Sequence, residues 1–297
     1  MLTPDPLNLF DRKSVRLHRN RAAPHIQDFD FLFAEVADRL TERLLDVKRT
    51  FPLALDIGCH GGEIARSLGA RGGIETLLQC DLSPAMAQKS GGISFAADEE
   101  FLPIKSESLD LVLSNLSLHW VNDLPGAFVQ IRQALKQDGF FMASMLGEHT
   151  LHQLRESLMT AETELEGGLS PRVSPYATVQ DIGHLLQRAG FTMPVVDIDT
   201  ITVSYSDMFK LMHDLRGMGE TGSVSERRKN FTRRATLMRA AQHYMETFAG
   251  EGDVGEGRVP ATFDIIFMTA WSPHPDQPKA AKPGSATVSL ADFLEAE

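Results

Sequence analysis

The stretch that most restricts what this chain can fold into is Leu53 to Ala65, LALDIGCHGGEIA. An apolar run (Leu53, Ala54, Leu55, Ile57) meets a glycine-rich turn at Gly58, Gly61 and Gly62, and Glu63 to Leu68 reads as the first turns of a helix. Strand, tight glycine turn and helix bring backbone close to a nucleotide, because glycine has no Cβ to clash and tolerates positive φ. About twenty residues on, Leu77 to Asp81 (LLQCD) is a second apolar run ending in an acid. An acid there can accept hydrogen bonds from both hydroxyls of a ribose. Together the two segments predict a nucleotide-type cofactor site.

The alternation continues downstream. Ser83 and Pro84 fit the N-cap and first position of a helix, and Ile93 to Ala97 is a third strand, ending at Asp98. Leu109 to Leu113 is a fourth strand, Leu124 to Leu135 a helix stopped by Gln137-Asp138-Gly139, and Phe140 to Met145 a fifth strand. Continuous apolar runs suit strands covered on both faces, and strands separated by helices predict a parallel sheet with right-handed crossovers. Beyond Leu146 the pattern gives helices over Thr150 to Glu166 and Thr178 to Arg188, then an alternating strand over Val195 to Tyr205. Helices over Met208 to Leu215 and Phe231 to Phe248 precede a last strand, Ala261 to Ala270, expected to pair with Val195 to Tyr205 at one sheet edge. The organisation expected is a basic arm and an amphipathic helix (Phe29 to Arg49) in 1–50, and a doubly wound, mostly parallel seven-stranded α/β domain in 51–270. That domain carries helical insertions around 148–190 and 206–250, and an irregular tail follows in 271–297.

With 297 residues, 42% of them apolar and 23% charged, the chain can bury a sizeable core. A net charge of −11 disfavours nucleic acid, whose phosphates want a basic face. Basic residues nevertheless cluster at Arg12, Lys13, Arg16, Arg19 and Arg21. The plain reading is a solvated helix face; the sharper one is contact with an acidic partner or a cofactor carboxylate. Cys59 and Cys80, the two cysteines, lack ligand spacing and fit small buried thiols in a reducing compartment. No run is long and apolar enough to span a bilayer. The opening MLTPDPLNLFD is neither a secretory signal nor, with its acids, a mitochondrial presequence, so a cytoplasmic protein is expected.

Asp98-Glu99 after the third strand, Ser114 to Trp120 after the fourth, and the late strand pair add to the glycine turn. This combination resembles the class I S-adenosylmethionine-dependent methyltransferases, which have a Rossmann-like fold. Carried over by position, the resemblance implies that Asp56, Gly58 and Gly62 line the methionine moiety. Asp81 would hold the ribose, Asp98 and Glu99 the adenine side, and Asn115 the amine through its backbone. One departure is His60, which stands where the pattern has its middle glycine; histidine reaches positive φ less readily.

More specific strings narrow the resemblance: NLFDRKSVRLHRNRAA, FPLALDIGCHGGEIA, ADEEFLPI, LSLHWVNDLPGA, ETELEGGLSPRVSP, DLRGMGE and GSATVSL. They are similar to the methyltransferase-like assembly factors of respiratory complex I, found in mitochondria and, as homologues, in bacteria. The resemblance implies a complex I subunit as protein substrate, with arginine hydroxylation rather than proven methyl transfer as the associated activity. It also implies bacterial cytosol as the location, with the mitochondrial matrix as alternative for a processed chain. LSLHWVNDLPGA is also similar to the malonyl carrier-protein methyltransferase of biotin synthesis, and a non-enzymatic assembly scaffold is the third reading, favoured by His60.

The residues themselves favour methyl transfer over oxygen insertion, since a methylsulfonium is already activated and the protein mainly aligns the acceptor. His119 and Trp120 are the candidate catalytic residues. Trp120 could wall the pocket or stack on a guanidinium, against ordinary core packing; His119 could act on a proton, against a structural hydrogen bond. Arg172 and Tyr176 could belong to a lid, and Met208, Met212 and Met218 to helix packing. His274-Pro275-Asp276 sits in the irregular tail, without a strand framework, and no metal site is expected.

Overall fold

The computed structural model describes residues 8–69, 71–252, 254–278 and 284–285. Five parallel strands, β1 (Leu53–Ile57), β2 (Thr76–Asp81), β3 (Ile93–Ala96), β4 (Leu109–Asn115) and β5 (Leu135–Leu146), are joined by β6 (Thr192–Tyr205) and β7 (Val259–Trp271). The sheet order is β3-β2-β1-β4-β5-β7-β6, and β7 runs antiparallel to both its neighbours. The late strands therefore pair across one edge, as the alternation in β6 requires. β6 buries one face only, whereas β1, β4 and β7 are buried almost throughout.

The helices are α1 (Arg12–Ala22), α2 (Phe31–Arg43), α3 (Glu63–Leu68), α4 (Pro84–Ser90) and α5 (Leu124–Ala134). α6 (His152–Glu166), α7 (Val179–Arg188), α8 (Met208–Met218) and α9 (Arg234–Phe248) follow. Ser83 does cap α4, accepting from the Met86 N–H at 3.1 Å, and Thr178 and Asp181 form a reciprocal capping box on α7. Two apolar clusters sandwich the sheet. α2, α6, α8 and α9 supply one through Phe33, Leu40, Leu158, Leu211 and Tyr244; α5 and α7 supply the other through Phe128, Ile131, Ile182 and Leu186. Each such fully buried Leu, Ile or Phe contributes roughly 1.5–3 kcal/mol.

Three expectations change. The helix expected over Phe29 to Arg49 ends at Arg43, with a single 3-10 turn over Leu44–Asp46. Gln137-Asp138-Gly139 does not separate helix from strand: β5 starts directly after α5, and the register slips between Leu109 and Leu111 of β4. Asp138 takes a φ of 60° there, and the segment is absorbed as a bulge. The basic cluster near the N-terminus is not a solvated face throughout, because Arg19 is fully buried and Arg12 largely so. Of the expected tail, Trp271 belongs to β7, residues 272–278 form no helix or strand, and most of the rest, with all but two residues of GSATVSL, lies outside the described residues.

Candidate active site

The carboxyl ends of β1 to β5 share one edge, and the strand order reverses between β1 and β4, where open α/β sheets bind ligands. Asp56 lies near the end of β1 with Gly58 and His60 after it, Asp81 closes β2, Asp98 and Glu99 follow β3, and Asn115 closes β4 with Leu116 to Trp120 after it. The topology thus gathers the residues picked from sequence at one place. Gly58 (φ +69°) is needed for a reason internal to the protein: a Cβ there would lie 2.0 Å from Ser117 Oγ. Gly62 (φ +84°) starts α3, and a Cβ on it would meet the Ser90 carbonyl oxygen at 2.7 Å.

His60 does adopt the left-handed conformation, with φ 44°. Its N–H donates to Asp81 Oδ2 at 3.2 Å, and its ring stacks on Phe33 with centroids 4.3 Å apart. Nε2 lies 3.2 Å from the Leu116 carbonyl oxygen. A left-handed residue with a Cβ costs roughly 1–2 kcal/mol, which these contacts offset. Burial and the nearby Arg19 guanidinium push the imidazole's pKa down, so it is neutral near pH 7.

The acids are held by arginines from α1. Arg19 Nη1 donates to Glu99 Oε1 (3.1 Å) and Asp81 Oδ2 (3.3 Å), and Nη2 donates to Ser117 Oγ at 2.9 Å. Ser117 in turn donates to Glu99 at 2.8 Å. Arg12 Nη2 reaches Asp98 Oδ1 at 2.6 Å and also bonds Glu99, while its Nη1 donates to the Trp120 carbonyl at 3.2 Å. Burial raises the Glu99 carboxyl, but the guanidiniums of Arg12 and Arg19 outweigh it and hold its pKa down at about 2. Asp56 is different: both its oxygens are buried without a hydrogen-bond partner. Burial, then the fields of Glu63 and Asp81, push its pKa well up. Burial likewise raises both thiols, Cys59 and Cys80.

His119 and Trp120 are buried beside this cluster. Both meet Glu220, which ends the DLRGMGE string: Trp120 Nε1 donates to Oε2 at 2.8 Å, and His119 Nε2 lies 3.1 Å from the same oxygen. Trp120 packs edge-on to Phe10 at 5.3 Å, and His119 stands edge-on to Tyr176 at 5.7 Å. Trp120 is therefore part of the wall between α1 and the sheet edge rather than an exposed stacking face. Asn115 spends its side chain internally, donating to the Phe33 carbonyl at 2.9 Å and accepting from Ser144 Oγ at 2.9 Å. Arg172 does not swing free as a lid, since it pairs with buried Glu162 and donates to Thr232 at 2.7 Å. Met208 and Met218 are buried in the core, as expected for packing. His274 and Asp276 lie 3.7 Å apart on the segment after β7, and among the described residues no group of three or more His, Cys, Asp or Glu could hold a metal ion. Sequence reasoning did not assign Arg12, Arg19, Ser117 or Glu220 to the site, although the basic cluster and the DLRGMGE string were both visible signals.

A doubly wound sheet with an antiparallel β7, a glycine turn after β1 and acids after β2 and β3 defines a protein of the class I methyltransferase fold. A methyltransferase-domain family model matches residues 55–143. The chain is 46% identical to the mitochondrial arginine-hydroxylase NDUFAF5 of Danio rerio over 97% of its length and 90% of the relative's. It belongs to that family. It is also 32% identical to the malonyl-[acyl-carrier protein] O-methyltransferase of a Methylovorus strain, over 90% of each chain. Among solved structures it resembles the phosphoethanolamine N-methyltransferase 2 of Haemonchus contortus in complex with S-adenosyl-L-methionine. The TM-score there is 0.52 at 16% identity, covering 88% of this chain and 60% of that one.

The donor set fits S-adenosylmethionine. Asp81 is a carboxylate able to accept from hydroxyls, and the unpartnered Asp56 carboxyl suits an ammonium, whereas Glu99 has both oxygens taken, Oε1 by Arg19 and Ser117 and Oε2 by Arg12. Asp81 has Oδ1 taken by the Ser83 N–H at 2.7 Å and Oδ2 shared by His60 and Arg19. Of these, only Arg19 is a side chain able to withdraw and free the oxygen for a ribose hydroxyl.

Proposed function

We propose that this chain is an S-adenosylmethionine-binding, methyltransferase-fold enzyme that modifies a protein subunit, at an arginine, during respiratory complex I assembly. The observation that carries this reading is near end-to-end identity of 46% with an arginine-hydroxylase, a relationship far more specific than the glycine turn. In support, the α1 arginines, the acids of the sheet edge and Glu220 of DLRGMGE form one connected cluster.

Asp56, Gly58, Gly62, Asp81, Asp98, Glu99 and Asn115 would hold the cofactor, which supplies an activated methyl group when bound. The chain's own part is to bind and orient. Asp81 holds hydroxyls once Arg19 withdraws from it, Glu99 stays anionic at neutral pH and so keeps α1 seated through Arg12, and buried His119 and Trp120 exclude water. His119, with Nε2 against Glu220 and an unpartnered Nδ1, is the group on this wall able to hold or move a proton. The reaction takes place in the cytoplasm if the chain is bacterial and in the mitochondrial matrix if it is processed there.

The test is calorimetric titration of S-adenosylmethionine into the wild type and Asp81→Ala, followed by mass spectrometry of the complex I subunit from cells carrying either. Binding lost in the variant, with loss of an oxygen- or methyl-sized mass increment on an arginine, is the expected result. An unmodified subunit in wild-type cells would remove the arginine reading. The resemblance at 32% to a malonyl carrier-protein methyltransferase supports a second reading, methyl transfer to a carrier-bound acyl group; only that reading predicts methylation of an acylated carrier protein in vitro.

A further inference from the structure

The cations of this chain are unevenly placed. Residues 12–21 and 227–234 hold ten of the 29 Lys and Arg and no Asp or Glu, which leaves 19 cations against 40 acids elsewhere, a net −21. The two segments meet in space: Arg227 Nη2 donates to Ser14 Oγ at 2.6 Å and lies 3.4 Å from Asp11 Oδ2. Arg12 and Arg19 are spent on the acids of the sheet edge. Lys13, Arg16 and Arg21 are exposed and make no ion pair among the described residues. An acidic protein thus carries one basic face, and it lies over the helix that covers the candidate site.

That face is grooved. An open groove of about 910 Å³ lies between the C-terminal ends of α1 and α8. Arg21 lines it from α1 and Arg216 from α8, both exposed and neither with a side-chain partner among the described residues. His25 and His213 also line it, and Asp28, the acid on its wall, lies 3.8 Å from His25 Nδ1. Phe29 gives the groove an apolar side, edge-on to His213 at 5.4 Å. The ring can lie there because residue 217 is glycine, where a Cβ would meet Phe29 Cγ at 2.3 Å. His18 and Thr221 line both this groove and a cavity of about 340 Å³, which Glu220, the acceptor of the Trp120 N–H, lines as well. Charge and shape together select the occupant. Two guanidiniums with free donors want carboxylates or phosphates. A bilayer is flat on this scale and does not enter a groove, a lone phosphate leaves most of the volume unfilled, and a nucleic-acid backbone is repelled by the net −21 of the rest of the chain. An extended polypeptide bearing Asp or Glu enters, reaches the arginines and lays its stems on Phe29.

We propose that the groove between α1 and α8 docks an acidic segment of the protein partner, anchored by Arg21 and Arg216. That the partner is the substrate rests on the protein-subunit reading above, so the groove is tested apart from it. Fluorescence anisotropy follows the full chain binding a short fluorescein-labelled peptide of alternating Glu and Ala, beside the same peptide with Gln for Glu. The groove variant is Arg21→Glu with Arg216→Glu. The control is Lys105→Glu with Arg188→Glu, an equal change of charge at exposed residues outside the groove. Expected are binding of the Glu peptide that weakens as salt rises, about tenfold or weaker binding of the Gln peptide, and a loss of about tenfold or more in the groove variant. The control should bind as the wild type does, and both variants should keep the wild-type melting temperature and S-adenosylmethionine affinity. No binding of the Glu peptide by the wild type at millimolar concentration, equal binding of the Gln peptide, or equal loss in groove and control variants overturns the assignment. So does sedimentation with phosphatidylcholine–phosphatidylglycerol vesicles that the groove variant loses while its peptide binding stays unchanged. None of these outcomes decides whether a complex I subunit is modified; that reading fails separately, by the mass spectrometry of wild-type cells.

Discussion

Replacing Arg19 with methionine keeps most of the side-chain bulk and removes the charge that joins α1 to the sheet edge. Two buried carboxylates lose a partner. Glu99 keeps Arg12 and Ser117, and Asp81 keeps the N–H groups of His60 and Ser83. The fall of the Glu99 pKa from 4.5 to about 2 corresponds to roughly 3 kcal/mol, shared between Arg12 and Arg19. Stranding a buried charge costs about 3–5 kcal/mol when no other partner remains, so about 3 kcal/mol is expected here. For a chain of 297 residues that lowers Tm by about 5 °C. The sign with pH follows from Glu99, whose folded pKa is depressed. Its stabilisation is fully present above about pH 4.5 and is lost as pH falls towards 2, so the gap between wild type and variant narrows below pH 4.5. A second readout separates packing from competition. With Arg19 gone, Asp81 Oδ2 keeps the His60 N–H alone and can accept from a ribose hydroxyl, and S-adenosylmethionine should raise Tm more in the variant than in the wild type. Melting curves by fluorimetry, with and without cofactor, decide it. A variant within 2 °C of wild type at pH 7.5, or a smaller cofactor-induced rise, would refute the reasoning.

Glu63 offers the opposite sign: burial, only partly countered by Arg66, raises its folded pKa from 4.5 to about 7. A raised acid loses stability as pH climbs from about 4.5 through 7, so Glu63→Gln should gain up to ~3 kcal/mol at pH 8 and nothing at pH 4 in urea titrations. Gly62→Ala forces a Cβ onto a left-handed residue 2.7 Å from the Ser90 backbone oxygen, and should cost ~3 kcal/mol by chemical denaturation. A loss under 1 kcal/mol would mean that the α3 start is softer than its geometry. Arg172→Ala leaves Glu162, which is 1% exposed, with the Ser170 N–H but no cation, and should cost about 3 kcal/mol, with faster proteolysis between residues 167 and 178 as the local check.

What the sequence determined by itself is what depends on near neighbours. Leu53 to Ile57 is a covered strand because its residues are apolar in a row, Ser83 caps α4 because its hydroxyl reaches three residues on, and Gly62 turns because it has no Cβ. The same short-range logic placed Asp56, Asp81, Asp98 and Glu99 at strand ends, hence at one edge once the sheet was parallel. Only the tertiary structure decided what faces those acids. Arg19 meets Asp81 and Glu99 across 62 and 80 residues, Arg12 meets Asp98 across 86, and Trp120 meets Glu220 across 100. No periodicity records such pairings. A guanidinium is exposed by default, and it becomes a buried bridge only where folding brings carboxylates close enough to offset the loss of water.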